Sequence, residues 1–227
     1  MTESNDPKTD ESDVFSLFPT SVWKIQLAPD RVERINRAVR ESLHEMNPRL
    51  MELAAGDAWQ SDHQLHRLDE FRELVSCIMH STGTILKFLK IGYQEIELTG
   101  CWANVAVRGA SHAMHSHPNN FLSGVYYAQT WPGADTIHFH DPRPQAGVVR
   151  PPVTELTSQN VDQVVVNVKP GTLLMFPSYL PHSVPPSESN EQRISVSFNL
   201  MFSSFAENLS KPMWDATGGR SAVPAQT

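Results

Sequence analysis

Hydrophobic positions recur with two different periods along this chain, and the change near residue 94 divides it. Upstream, Val22-Trp23-Lys24-Ile25 predicts a first strand. Val32, Ile35, Val39, Leu43 and Met46 then recur at helical spacing. Asp30 is placed to cap that helix and Asn47-Pro48 marks its end. A second helical stripe comprises Leu65, Leu68, Phe71, Leu74, Val75, Ile78 and Met79. It continues through Ile85, Leu86, Phe88 and Leu89 to Gly92, with Gly83 as a weak point. Residues 52–63 are too polar to assign. Both stripes read as packing faces.

From about residue 94 to residue 203 the pattern is that of strands. Candidates are 96–107, 122–129, 135–140, 163–168, 171–176 and 193–202. Turn signals such as Trp131-Pro132-Gly133, Pro142-Arg143-Pro144 and Lys169-Pro170-Gly171 separate them. Short strands with proline- and glycine-rich turns predict a mainly β sandwich or jelly-roll barrel, with the N-terminal helices covering one outer sheet face. Residues 1–13 are polar and are expected to form a disordered tail, with ordered structure beginning at Phe15. One domain is expected over 14–210, with 14–93 as mostly helical support and 94–205 as the β core. Residues 211–227 are expected to form a flexible tail. No internal repeat is present.

Composition narrows the function classes. Hydrophobic residues make up 40% and charged residues 19% of 227, as in ordinary globular proteins. A formal charge of −7 without a basic stretch argues against nucleic acid and against anionic membrane surfaces. Cys77 and Cys101 are far apart, which is neither a disulfide framework nor a cysteine-type zinc site. With no apolar run of membrane-spanning length and a polar, acidic N-terminus, a cytoplasmic protein is expected.

The chemistry gathers in Ser111-His112-Ala113-Met114-His115-Ser116-His117-Pro118, which holds three of the chain's ten histidines. Imidazole is the commonest side-chain metal ligand. On an extended chain His115 and His117 point to one side and could face one ion. A third ligand has to come from elsewhere, and the alternative is a set of structural or surface histidines.

In residues 193–202, Ile194, Val196, Phe198, Leu200 and Phe202 form one face. Arg193, Ser195, Ser197 and Asn199 form the other. A solvated outer strand would look similar, but small hydroxyl residues behind a single Arg leave space and suit the grip of a carboxylate. His182 stands eleven residues before Arg193, at the end of an apolar strand.

Taken together, these residues resemble the iron(II)- and 2-oxoglutarate-dependent oxygenase superfamily, in particular an uncharacterised bacterial group of its prolyl-hydroxylase-like branch. The resemblance runs over about residues 15–205. It is carried by Trp102-Ala103-Asn104, Gly109 six residues before His115, His115-Ser116-His117-Pro118, and Leu122 to Tyr127. Phe139 to Arg143, Gly171 to Pro177, and Arg193 to Asn199 complete it.

The resemblance implies a double-stranded β-helix that uses Fe(II), 2-oxoglutarate and O2. Its metal ligands would be His115, His117 and His182, and Arg193-x-Ser195 would bind the far carboxylate of 2-oxoglutarate. Asn104 and one of Tyr126 or Tyr127, with Tyr127 chosen, would complete the co-substrate site. His138, His140, Asn199 and Arg143 are candidates for the substrate cavity or for orienting ligands. His138 and His140 would be solvated instead if their strand face points outward. His112 is left at the periphery.

One residue departs from the superfamily, whose second ligand is normally a carboxylate. Three readings compete at His117. It completes a three-histidine site, which is the favoured reading. It stands behind the ligands while Asp141 or water supplies oxygen. Or the position is vacant, as in related halogenases. The implied activity is hydroxylation of an unactivated C–H bond of a small metabolite or amino-acid-like substrate, with release of succinate and CO2. The rivals are a three-histidine cupin-type dioxygenase that does not use 2-oxoglutarate, and a non-catalytic metal- or ligand-binding β-barrel. Exposed strand edges leave a homodimer open.

Overall fold

Ile194, Val196, Phe198 and Leu200 are all buried on one face of β10 (Arg193–Phe202), as alternation in that stretch demands. The computed structural model describes residues 13–14, 17–92 and 95–203. Residues 1–12, Phe15 and 211–227, on which the tail and start expectations fall, lie outside those described. In chain order the elements before β10 are β1 (Trp23–Gln26), α1 (Pro29–Met46), β2 (Ala58–Gln60), α2 (Arg72–Phe88) and β3 (Ile96–Ala106). There follow β4 (His112–His115), β5 (Leu122–Gln129), β6 (Thr136–His140), β7 (Gln163–Asn167), β8 (Thr172–Pro177) and β9 (His182–Val184).

Among the described residues, ten strands form two antiparallel sheets. One has the order β1-β8-β5-β10-β3-β2 and the other β4-β9-β6-β7. This is the jelly-roll arrangement of a double-stranded β-helix. Helices α1 and α2 lie on the outer face of the six-stranded sheet. Ile35, Val39, Leu43, Leu74, Ile78 and Ile85 pack there against Val105, Tyr126, Leu173, Met175, Val196 and Phe198. A smaller cluster, including Tyr127, Ile137, Phe139, Leu174 and Phe176, fills part of the space between the sheets. The six-stranded sheet is therefore apolar on both sides of its centre, and the polar residues of β10 face the second sheet.

The helix starts differ from the sequence expectation. Pro29 occupies the first turn of α1, where its fixed φ suits the helix and its missing N–H is not needed. Asp30 lies in that turn and does not cap it. The second helix begins only at Arg72. Leu68 is extended (φ −86°, ψ 139°), so Leu65–Arg67 and Asp69–Phe71 are separate 3-10 turns. Gly83 sits inside α2 without interrupting it. The short strands β2, β4 and β9 were not expected as strands. Both cysteines are free and buried. Among the described residues no helix is long and apolar enough to cross a membrane.

Candidate functional site

Three histidines converge at one end of the gap between the sheets. His115 at the end of β4 and His182 at the start of β9 are direct cross-strand partners, with ring centroids 4.4 Å apart. His117 follows β4 outside any strand and is pinned through its backbone N–H, which donates to the Ser178 carbonyl at 2.9 Å. Its ring lies 5.0 Å from His115 and 5.1 Å from His182. One nitrogen from each ring lies within 4.8 Å of the others.

Hydrogen bonds select the tautomers. Nδ1 of His115 lies 2.8 Å from the Ala113 carbonyl, and Nδ1 of His182 lies 2.9 Å from the Leu180 carbonyl. A carbonyl only accepts, so each Nδ1 carries the proton and each Nε2 keeps a lone pair for a metal. Phe176 packs edge-on against the His182 ring at 4.7 Å and fixes its plane. Burial, with His115 adding to it, holds His117 at about 4. His182 is also held at about 4, chiefly by burial; its bond to Leu180 opposes the shift and the neighbouring histidines add to it. Both rings are neutral near pH 7, the form that binds metal. The donor set fits a divalent transition metal.

The other end of the gap is built by rows across the six-stranded sheet. Register aligns Gln60, Asn104, Ser195 and Tyr127 across β2, β3, β10 and β5. The next row aligns Trp102, Ser197 and Val125. All of these line a cavity of about 270 Å³ together with the three histidines, His112 and Arg193. Asn104 Nδ2 donates to Ser197 Oγ at 3.1 Å.

Arg193 is the one formal charge on this lining, and it is only 5% exposed. Its Nε is buried with no hydrogen-bond partner. Burial pulls the guanidinium below its usual range, and Tyr127 beside it opposes that shift; an arginine remains protonated regardless. The Tyr127 hydroxyl is pushed up to about 12 by burial, against the pull of Arg193, so it stays a neutral donor. A buried cation without an acceptor is costly unless an anion joins it. The cradle fits a carboxylate.

The predicted residues divide cleanly by position. His115, His117, His182, Arg193, Ser195, Tyr127 and Asn104 all line the cavity. Tyr126 faces the opposite way and donates to Asn36 Oδ1 on α1 at 2.6 Å.

His138, His140, Asn199 and Arg143 are not on the lining. Ile137 and Phe139 occupy the inner face of β6, so His138 and His140 turn outward, to Gln163 and Ser183. Asn199 accepts from Ser123 Oγ at 2.7 Å. Exposed Arg143 is paired with Asp141, and holds that carboxyl below its usual range. No Asp or Glu is on the lining, Asp141 included.

Besides Gly124 and the apolar residues, the lining holds four that the sequence does not assign to the site: Gln60, Trp102, Ser197 and His112. Trp102 stacks on His63 at 4.5 Å and tilts toward His117 at 6.2 Å. His112 and His115 are three residues apart, which on a regular strand places them on opposite faces. An irregularity in the β4–β9 pairing between them lets both reach the cavity.

Comparison with known proteins agrees with this geometry. The family model described as "Putative 2OG-Fe(II) oxygenase" matches residues 100–199, which contain all three histidines, Arg193 and Ser195. No curated protein matches the chain. Solved structures of similar fold include a Pseudomonas putida prolyl-4-hydroxylase, at 15% identity and TM-score 0.54 over 81% of this chain and 93% of that one. HygX from Streptomyces hygroscopicus, solved with nickel and 2-oxoglutarate, is 12% identical with TM-score 0.56 over 87% and 89%. A Trichoplax adhaerens prolyl hydroxylase, in complex with a hypoxia inducible factor peptide, is 13% identical with TM-score 0.54 over 80% and 83%. Residues 100–199, carried on this two-sheet fold, match the model of the putative 2OG-Fe(II) oxygenase family.

Proposed function

We propose that the protein is an iron(II)- and 2-oxoglutarate-dependent dioxygenase that hydroxylates an unactivated C–H bond of a small metabolite or amino-acid-like substrate. The observation that carries this reading is Arg193: a buried guanidinium on the cavity lining whose Nε has no hydrogen-bond partner among the described residues. A dicarboxylic co-substrate supplies that acceptor.

In this reading the Nε2 atoms of His115 and His182, with a ring nitrogen of His117, hold the metal. Arg193 grips the far carboxylate of 2-oxoglutarate, and the hydroxyls of Ser195 and Tyr127 donate to the same group. The bound metal and co-substrate together supply dioxygen activation and the oxidant for hydrogen abstraction. Of the two oxygen atoms one ends in succinate and one in the hydroxylated product, with CO2 released. The protein's residues do the positioning. Ile137 and Val184 from one sheet and Val125 from the other keep part of the lining apolar, which disfavours water near the reacting centre. The all-nitrogen ligand set leaves the site one unit more positive than a two-histidine, one-carboxylate site.

The test is succinate formation by the iron-loaded protein given O2, 2-oxoglutarate and a panel of amino acids and polar metabolites. Succinate in proportion to hydroxylated product is expected. Its absence with every candidate rejects the reading. The three-histidine set also suits a dioxygenase that needs no keto-acid, and oxygen uptake that ignores 2-oxoglutarate identifies that alternative.

A further inference from the structure

His112 is the cavity histidine that the metal reading does not use. Both sheets contribute to the space between the histidine triad and Arg193, but unequally. Ser195, Tyr127 and Arg193 approach from the six-stranded sheet. From the four-stranded sheet the lining residues outside the triad are His112, Ile137 and Val184, and of these His112 alone can hydrogen-bond. It stands opposite Val184 in the β4–β9 pairing, with its ring 6.5 Å from that of His115.

The ring is half-buried, yet neither nitrogen has a hydrogen-bond partner among the described residues. His63, His138, His140, His115 and His182 each have one. Burial first, and then the charges of Arg193 and His115, disfavour a second cation there and favour the neutral ring. A neutral imidazole still offers one N–H. A carboxylate gripped by a guanidinium has lone pairs left over, directed at its surroundings. Hydroxyls of Ser195 and Tyr127 line one side of the cavity beside Arg193, and His112 lines the other.

We propose that His112 is a positioning residue for the co-substrate, donating a hydrogen bond from the four-stranded sheet to the far carboxylate that Arg193, Ser195 and Tyr127 hold from the six-stranded sheet. This rests on the 2-oxoglutarate reading above. The irregularity between His112 and His115 is the structural device that brings it inward.

The test compares two keto-acids of equal chain length, 2-oxoglutarate and 2-oxopentanoate, which lacks the far carboxylate. Each is titrated calorimetrically into the full chain loaded anaerobically with Fe(II). His112→Phe keeps the ring size and removes the N–H, whereas His112→Gln keeps an N–H. The Phe variant is expected to bind 2-oxoglutarate about tenfold more weakly, with 2-oxopentanoate and iron stoichiometry unchanged. The Gln variant is expected to stay within about threefold of the parent, an N–H replacing an N–H. Equal affinity of the Phe variant and the parent for 2-oxoglutarate overturns the proposal. So does a loss that falls alike on both keto-acids, or alike on both variants. A parent protein that binds iron but not 2-oxoglutarate overturns the co-substrate reading itself, and is told apart by needing no variant.

Discussion

His115 and His182 face each other across the β4–β9 pair, and each donates its Nδ1 proton to a carbonyl two residues earlier in the chain. The same local loop is thus built twice, once on each strand. Both Nε2 atoms are turned toward the site before any metal arrives. Among the described residues His117 has no such anchor on its ring, only on its backbone.

This asymmetry predicts graded metal loss. His115→Ala and His182→Ala abolish stoichiometric iron, measured by metal analysis after anaerobic gel filtration. His117→Ala weakens binding by about 100-fold, while His117→Asp, which restores a carboxylate, retains iron. Full iron occupancy in His182→Ala refutes the ligand assignment.

Arg193→Gln is expected to raise the 2-oxoglutarate dissociation constant by about 30-fold or more, because a charge-assisted pair of hydrogen bonds is lost. Iron content is expected to hold. Unchanged keto-acid affinity places the co-substrate elsewhere.

Neighbouring tyrosines are expected to fail in different assays. Tyr126→Phe leaves Asn36 Oδ1 buried without its donor and costs about 1–3 kcal/mol in urea unfolding. Tyr127→Phe weakens 2-oxoglutarate binding severalfold, through loss of one hydrogen bond to a charged group. The two effects are read by denaturation and by calorimetry.

The metal-free protein is expected to lose stability as pH falls from about 6.5 toward 4. His182 titrates at about 4 in the fold, chiefly because it is buried, and near its ordinary value when unfolded. Between those values the unfolded chain binds the extra proton, so acid favours unfolding. The limiting slope for this one histidine is about 1.4 kcal/mol per pH unit. Thermal melts of the apoprotein from pH 7 to 4.5 measure it, and His182→Phe is expected to flatten the dependence.

Gly124→Ala tests the packing beneath the site. A Cβ there would lie 2.6 Å from the Leu174 carbonyl oxygen, and closer still to the Phe198 ring. The carbonyl belongs to the pairing of β5 with β8 and cannot move aside cheaply. A loss of about 1–3 kcal/mol in urea unfolding is expected.

Much of this arrangement was legible in the chain, for identifiable reasons. β5 and β10 were read with their observed ends because each is long, and β10 alternates without error. The short strands β2, β4 and β9 are not legible, since three or four residues are too few to show a period. The second helix was drawn too long because Leu65, Leu68 and Phe71 keep helical spacing while the backbone at Leu68 is extended. His138 and His140 could be paired by alternation but not given a direction. Ile137 and Phe139 take the inner face, and only the packed sheets show it. His112 stays at the periphery in sequence because the resemblance tolerates other polar residues three positions before His115, and the irregularity that turns it inward leaves no mark in the chain. Gln60 belongs to a segment without pattern, and it reaches the site only through pairing with β3.

The polar row Gln60–Asn104–Ser195–Tyr127 has a consequence for how such a protein diversifies. Asn104, Ser195 and Tyr127 sit on long strands whose reverse faces are locked under two helices, so few alternatives are tolerated behind them. Gln60 ends a three-residue strand at the sheet's margin, with His63 and Trp102 beside it. Replacements there disturb no layer of the core. Selection for a new substrate can therefore act on the margin while the half proposed to grip the keto-acid stays fixed, and relatives with different substrates are expected to vary first at positions 60 and 63.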